Sequence, residues 1–209
     1  MKRKILVATT NKGKLTELRA MLDLDVEWVG LDDLGGFEEV IEDGSTFAAN
    51  ARKKALTYAA ASGFWTLADD SGLVIDALEG APGVHSARFS GDKADGEDRG
   101  LIDHRNIARV LELMKDISED KRGARFVCSL CLANANKVLL ETEGVCEGMI
   151  AGAEVGDNGF GYDPIFIVEQ LGKTTAQLSS SRKNAISHRG NAIRKLKPML
   201  AKLVADGVS

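Results

Sequence analysis

The sequence predicts an α/β fold, with a long central mixed β-sheet flanked by helices and with two lobes separated by a cleft. Three observations carry this prediction. The chain opens with a strand, a polar loop and a helix; two long neighbouring strand-like runs follow further along; and other helices have one apolar face. No repeat, low-complexity tract or interdomain linker interrupts residues 1–209, so we expect a single domain.

The first elements follow from apolar spacing. Residues 4–9 form a short apolar run typical of a strand, residues 10–13 form a polar turn, and a helix with apolar residues at helical spacing follows. The clearest helix covers residues 46–62 and ends before Gly63. Its apolar stripe consists of Phe47, Ala51, Ala55 and Tyr58. A separate polar face carries Asn50, Lys54 and Thr57.

The sequence from residue 65 to residue 205 predicts further strands and two more helices. Two short strands flank a polar Asp69-Asp70-Ser71-Gly72 segment, which we expect to begin a turn. The other predicted elements, in chain order, are a helix over 101–117, a hairpin over 125–134 and 137–148, a glycine-rich loop over 156–163 and a helix over 187–205.

Composition excludes some classes of protein. Hydrophobic residues make up 44% and charged residues 28% of the chain, as in an ordinary globular protein. A net charge of −4 argues against a nucleic-acid partner, because a phosphate-backbone binder carries a basic surplus. No apolar run reaches the length of a membrane span, and the one near the N-terminus is too short for a secretion signal. We therefore expect a cytoplasmic protein with no membrane partner.

The three cysteines do not predict a metal site. Cys128 and Cys131 form a C-x-x-C, which can be redox-active or bind a metal, and Cys146 stands apart. The pair lies in a predicted strand, where residues three apart face opposite sides, so the two sulfurs could not share one ion. We predict buried structural thiols in a reducing cytosol. No two histidines have metal-ligand spacing, so zinc is not expected.

The segment from Thr9 to Lys14 lies between the first strand and the first helix. Backbone N–H groups at a helix start attract phosphate, and Lys14 could neutralise it. The spacing of a Walker loop is absent, since only Gly13 precedes Lys14. On these residues alone, a polar turn with solvated lysines is an equal alternative.

The acidic residues Glu42, Asp69 and Asp70 are candidate ligands for Mg²⁺ or Mn²⁺. Neighbouring strand residues point to opposite faces, so at most one of Asp69 and Asp70 faces a given site unless the turn has begun. The alternative is a helix cap or a solvated turn.

Two further segments combine aromatic residues with hydrogen-bond donors. In Gly159-Phe-Gly-Tyr-Asp-Pro164, the glycines would allow close approach to a flat stacking surface, although Phe160 and Tyr162 could equally fill the core of a turn. Lys183, His188 and Arg189 place three donors near the start of the last helix.

Together these segments resemble the inosine triphosphate pyrophosphatases, also called XTP/dITP diphosphatases, over almost the whole chain. The matching pieces, in the order of the family, are Thr-x-Asn-x-x-Lys14, Phe47-x-x-Asn-Ala-x-x-Lys-Ala55, Ala68-Asp-Asp-Ser-Gly72, Gly80-x-Pro-Gly-x-x-Ser-Ala-Arg88, Phe160-Gly-Tyr-Asp-Pro-Ile-Phe166 and Ser187-His-Arg-Gly190. One departure is Ala49, where relatives often carry Glu; it puts only a peripheral contact in doubt.

The resemblance implies a Mg²⁺-dependent catalytic domain over 1–209, with its active site in the cleft, that cleaves ITP, dITP or XTP between the α- and β-phosphates. It also implies a homodimer, and Mn²⁺ could replace Mg²⁺. Glu42 and Asp70 would hold the metal, and Asp70 would be the general base. The implied substrate contacts are Thr9, Thr10, Asn11, Lys12, Gly13, Lys14, Lys54, Ser71, Phe160, Gly161, Tyr162, Asp163, Lys183, His188 and Arg189. Within this set, Phe160 would stack on the base, and Asp163, Lys183, His188 and Arg189 would read its edge.

The selectivity implied by the resemblance has a physical basis. Inosine and xanthine carry a 6-oxo acceptor where adenine carries a 6-amino donor, so ATP would leave fixed donors unpaired, a mismatch that can discriminate by about 10⁴–10⁵. Two alternatives remain open: a non-catalytic nucleotide sensor, which would not need both Glu42 and Asp70, and a pyrophosphatase for modified pyrimidine or methylated nucleotides.

Overall fold

A computed structural model describes residues 2–35, 37–91 and 98–207. Within these ranges the strands are β1 (Lys4–Ala8), β2 (Glu27–Gly30), β3 (Trp65–Ile75), β4 (Gly123–Ala133), β5 (Val138–Ile150), β6 (Phe166–Val168) and β7 (Lys173–Thr174). The α-helices are α1 (Lys12–Met21), α2 (Phe47–Ser62), α3 (Arg99–Met114), α4 (Ser180–Ile186) and α5 (His188–Ala205). None of the described helices is both long enough and apolar enough to cross a membrane.

The described strands form one mixed sheet in the order β2-β1-β3-β4-β5-β6-β7. Strand β1 pairs in parallel with β2 and β3, whereas β6 pairs antiparallel with β5 and β7. The predicted α/β fold with a mixed sheet and flanking helices is therefore confirmed.

The chain forms two compact units. Unit 1 comprises the described residues within Met1–Asp70, Cys128–Gly144 and His188–Ser209, and unit 2 those within Ser71–Val127 and Val145–Ser187. Strands β3, β4 and β5 each contribute residues to both units. The single catalytic domain over 1–209 and the cleft between lobes remain predictions.

Unit 1 buries both faces of its strands. On β1, Ile5 and Val7 belong to a cluster with residues of α1 and α5, whereas Leu6 and Ala8 belong to a cluster with residues of α2. The alternation follows from the two-residue period of a strand. Cys128 lies in the first cluster and Cys131 in the second, so the prediction of buried thiols on opposite faces is confirmed.

Unit 2 packs around the far end of β3. Leu73 and Ile75 contact a cluster that includes α3 and β6, and the rings of Phe126 and Phe166 lie 4.5 Å apart between centroids. Helix α3 begins after Asp98, whose carboxylate accepts from Gly100 N at 2.8 Å. It therefore begins two residues before the predicted 101–117 and ends three before it, at Met114.

The main difference from the sequence prediction lies in β3. Asp69-Asp70-Ser71-Gly72 is not a turn but the middle of one strand of 11 residues, Trp65–Ile75. The polar segment stays extended because buried cations compensate its carboxylates, as the contacts of Asp69 below demonstrate. Helix α2, by contrast, lies where predicted: Thr46 Oγ1 accepts from Ala49 N at 3.1 Å, and Gly63 ends the helix with a φ of 72°.

Candidate active site

The predicted phosphate segment lies at the start of α1, within unit 1. Asn11 caps the helix, because its Oδ1 accepts from Lys14 N at 3.1 Å, and Thr9 Oγ1 accepts from Asn11 N at 3.1 Å. Both side chains therefore shape the loop that also contains Thr10, Lys12 and Gly13. The first backbone N–H groups of such a helix form an electropositive end that attracts anions.

Asp69 is a buried carboxylate of unit 1 with several polar partners. Arg189 Nε donates to its Oδ2 at 2.9 Å, Lys14 Nζ forms an ion pair with its Oδ1, and Cys128 Sγ donates to Oδ2 at 3.1 Å. Burial alone would raise the pKa of Asp69, but the Arg189 and Lys14 charges outweigh it and hold that pKa well below its usual range. Asp69 is therefore an ionised carboxylate fixed between two cations.

Arg189 is as deeply buried as its partner. Its side chain is 1% exposed, and its second carboxylate partner is Glu17 of α1. Burial opposes the charged guanidinium, yet Asp69 raises the pKa of Arg189 above its ordinary value. His188, at the first position of α5, is also buried. Arg189 thus connects α5 to both β3 and α1 inside unit 1.

Lys54 brings the two predicted metal ligands together. Its Nζ donates to Glu42 Oε1 at 2.6 Å and to the backbone oxygen of Asp69 at 2.7 Å, and lies 3.8 Å from Asp70 Oδ1. Burial lowers the pKa of Lys54, but Asp70 and Glu42 more than offset this, so the net direction is upward. The ammonium is thus charged and next to two carboxylates.

Asp70 behaves differently from Asp69. Burial raises its pKa, against the opposing influence of Lys54 and Lys14. The neighbouring strand positions therefore carry one carboxyl whose pKa is lowered and one whose pKa is raised, as the opposite faces of a strand permit.

The donor set of this region fits a hard divalent cation. In the described part of the chain, no group of three or more His, Cys, Asp or Glu side chains is arranged to hold a metal ion. Glu42 and Asp70 form a carboxylate pair instead, each in contact with the same ammonium. Mg²⁺ commonly takes only one or two protein carboxylates, together with water and substrate phosphates, so a pair is sufficient.

Of the predicted base-binding residues, Phe160, Asp163 and Lys183 lie in unit 2, whereas His188 and Arg189 lie in unit 1. Asp163 Oδ2 accepts from Phe160 N at 2.8 Å and from Lys183 Nζ at 2.5 Å, and Asp163 Oδ1 accepts from Thr175 Oγ1 at 2.8 Å. The Lys183 ammonium lies 4.6 Å from the centroid of the half-buried Phe160 ring. The backbone N–H of Gly161 donates to Asp103 Oδ2 at 2.8 Å. This loop is therefore held from several sides.

Tyr162 and Ser71 complete the predicted set. Tyr162 is buried, and its hydroxyl donates to the backbone oxygen of Ser86 at 2.9 Å, so its ring fills the core of unit 2. Ser71 follows Asp70 in β3 and is half-buried. The two aromatic residues therefore differ. Tyr162 fills the core, whereas Phe160 is half-buried and has the Lys183 ammonium over its ring.

Sequence reasoning missed two residues of these networks, Glu17 and Thr175, and it did not predict the partners of Asp69. Glu17 lies three positions after Lys14 on α1, which is a helical neighbour position that could have drawn attention. Thr175 follows Thr174, whose capping box with Gln177 was also a readable signal. The contacts of Asp69 join residues 120 apart in sequence and had no local signal.

Comparison with known proteins identifies the family. A match to the Ham1 family covers residues 5–199. The dITP/XTP pyrophosphatase of Desulforamulus reducens is 46% identical over 201 residues, with 96% of each chain covered. That of Bacillus cereus is 46% identical over 197 residues, with 93% of each chain covered.

Solved structures agree with the sequence matches. A HAM1 protein from Coxiella burnetii has a TM-score of 0.84 and 40% identity, covering 96% of this chain and 99% of its own. The Staphylococcus aureus Ham1 protein has a TM-score of 0.82 and 38% identity, covering 95% of this chain and 98% of its own. The chain therefore belongs to the Ham1 family.

Proposed function

We propose that this protein hydrolyses ITP, dITP and XTP to the nucleoside monophosphate and pyrophosphate, and so removes non-standard purine nucleotides from the nucleotide pool. The observation that carries the proposal is the cluster of two lysines and three carboxylates in unit 1: Lys54 contacts Glu42 and Asp70, and Lys14 pairs with the neighbouring Asp69. The full-length relatives named dITP/XTP pyrophosphatase support the same reaction.

The phosphate end of the substrate is assigned to the α1 start. Residues 9–14 would cradle the triphosphate with backbone N–H groups, and the ammonium groups of Lys14 and Lys54 would supply positive charge. Both ammonium groups already contact carboxylates of β3, which hold them in place before substrate binds. Such preorganisation lowers the entropic cost of binding.

Glu42 and Asp70 would hold the divalent cation, Mg²⁺ or in its place Mn²⁺. When bound, the ion would neutralise phosphate charge and orient the reacting oxygens. Asp70 would also accept a proton from the attacking water, as the new P–O bond forms and the α–β anhydride bond breaks.

Phe160, Asp163, Lys183 and His188 are assigned to the base, with Phe160 as the stacking surface and the polar groups at its edge. Lys183 is fixed by Asp163 and lies over the Phe160 ring, so the donor and the platform form one arrangement in unit 2. For Arg189, the described contacts with Asp69 and Glu17 favour a structural role over the base-edge role that the family resemblance implies.

The cytoplasm and a homodimer are part of the proposal. The resemblance to homodimeric enzymes supports a dimer, and light scattering coupled to size exclusion tests it by mass against the 22.4 kDa chain.

We expect purified protein with Mg²⁺ to release pyrophosphate, not orthophosphate, from ITP, dITP and XTP, and to do so much faster than from ATP. EDTA should abolish the release, and added Zn²⁺ should not be required. The measurement is a panel of nucleotides assayed separately for the two products, with the EDTA sample restored by excess Mg²⁺ as the control.

Each alternative gives a different outcome in that panel. A nucleotide sensor would bind ITP without releasing any product. An enzyme for modified pyrimidine or methylated nucleotides would release pyrophosphate faster from those nucleotides than from ITP, dITP or XTP. Undiminished hydrolysis in metal-free buffer would remove the role of Glu42 and Asp70 as metal ligands.

Asp69 and Asp70 should respond differently to removal of their charge. Asp70→Asn should fold normally and lower kcat at least about 10²-fold, because it removes a metal ligand and the general base. Asp69→Asn should instead lower the free energy of unfolding by about 3–5 kcal/mol, because it removes one of the two carboxylates that compensate the buried Arg189. Urea denaturation and steady-state kinetics of both variants test this contrast. Equal, mild effects of the two variants on kcat and stability would contradict it.

Neither Phe160→Ala nor Arg189→Ala should change the preference for ITP over ATP. Phe160→Ala should weaken transition-state binding of ITP and ATP alike by about 1–3 kcal/mol, since every base presents a π-face. Arg189→Ala should lower kcat/KM for both nucleotides by a common factor, because its guanidinium is held by Asp69 and Glu17. The measurement is the ITP-to-ATP ratio of kcat/KM in the wild type and in each folded variant. A selective loss of ITP activity in Arg189→Ala would assign it to the 6-oxo group instead.

A further inference from the structure

The described segment that carries Glu42 has no regular secondary structure between residues 37 and 44. Its position therefore depends on contacts with α2. Asp43 accepts from Lys53 Nζ at 2.7 Å, but both side chains are exposed, and exposed pairs contribute little. The backbone N–H of Val40 contacts the Tyr58 hydroxyl at 3.3 Å, which is a long hydrogen bond.

Besides the ion pair between Lys54 and Glu42, a further buried contact with α2 lies two residues after Glu42. The backbone N–H of Gly44 donates to Asn50 Oδ1 at 2.7 Å, and Asn50 is only 1% exposed. A Cβ on residue 44 would lie 2.6 Å from the same Asn50 oxygen. The segment thus approaches α2 so closely that a hydrogen atom fits at residue 44 and a methyl group does not.

Asn50 also lies beside the second proposed metal ligand. It precedes Lys54 by one helical turn, so both residues share one face of α2. The Asn50 side chain also lies near the Asp70 carboxyl. One buried amide therefore hydrogen-bonds to the Glu42 segment through its oxygen and has the Asp70 carboxyl nearby.

We propose that Asn50 is a positioning residue, which holds the Glu42 segment against α2 so that the Glu42 and Asp70 carboxylates converge on one divalent cation. The inference rests on the proposed function, since that assigns the cation to these two carboxylates. Asn50 need not touch substrate or metal. Partners of metal ligands commonly change metal affinity or activity by about 10–100-fold when they are removed.

The test compares Asn50→Ala with Thr46→Ala. Thr46 lies on the same end of α2 and also accepts a backbone N–H, from Ala49 at 3.1 Å, but no described hydrogen bond joins its side chain to Glu42, Gly44 or Asp70. Binding of Mn²⁺ alone is followed by its electron paramagnetic resonance signal, and the Mg²⁺ concentration that gives half-maximal kcat with ITP is measured in parallel. Asn50→Ala should weaken Mn²⁺ binding at least about tenfold and raise the Mg²⁺ concentration for half-maximal kcat by a similar factor. At high Mg²⁺ its kcat should recover. Thr46→Ala should leave both values within about twofold of the wild type.

Gly44→Ala changes the other partner of this hydrogen bond, and it tests the positioning role even if Asn50→Ala does not fold. It breaks the same hydrogen bond from the partly exposed side while Asn50 stays intact, so it should weaken Mn²⁺ binding as Asn50→Ala does. If both variants bind Mn²⁺ as Thr46→Ala does while the wild type hydrolyses ITP with Mg²⁺, this inference is overturned and the proposed function stands. If the wild type hydrolyses ITP without any divalent cation, the metal assignment fails, and the positioning role fails with it.

Discussion

A buried carboxylate with no access to solvent, that of Asp69, constrains most of unit 1. A charge in such a place is costly unless cations and hydrogen bonds compensate it, so the fold must deliver partners. Arg189 arrives from α5, Lys14 from α1, and the Cys128 thiol from β4. The backbone oxygen of the same residue accepts from Lys54 of α2. Three helices therefore contact one residue of β3. The two lysines assigned to the triphosphate, Lys14 and Lys54, are held in place by these contacts with Asp69.

Because side chains alternate along a strand, Asp69 and Asp70 can have different roles, the first structural and the second chemical. Asp69 and Asp70 are adjacent, so their side chains leave β3 on opposite faces and meet different surroundings. Cations hold the pKa of Asp69 down, whereas burial dominates at Asp70 and raises its pKa. A carboxylate already committed to two cations is a poor base. Its neighbour, next to Glu42 and Lys54, is suited to hold a metal and to accept a proton.

Sequence reasoning succeeded where the signal was local. Helix α2 was predictable because its cap at Thr46, its apolar stripe and its terminal Gly63 all lie within the element. The short strands β6 and β7 and helix α4 carry too few residues for a period to show, and β3 was split because its polar middle resembles a turn. At the site, motif order predicted Lys14, Lys54 and Asp70, whereas the partners of Arg189, which come from distant parts of the chain, could not be read from the sequence.

The central claim is that Asp69 and Arg189 act as one unit that supports the rest of the site. A double-mutant cycle with Asp69→Asn, Arg189→Met and the combined variant tests it most directly, read by the free energy of unfolding in urea. The account predicts a coupling energy of at least about 1.5 kcal/mol, above the range of about 0.2–1 kcal/mol that exposed ion pairs give. It also predicts that the double variant is more stable than Asp69→Asn alone, because the buried guanidinium is gone. Effects that add within about 0.5 kcal/mol would show two independent residues and contradict the account.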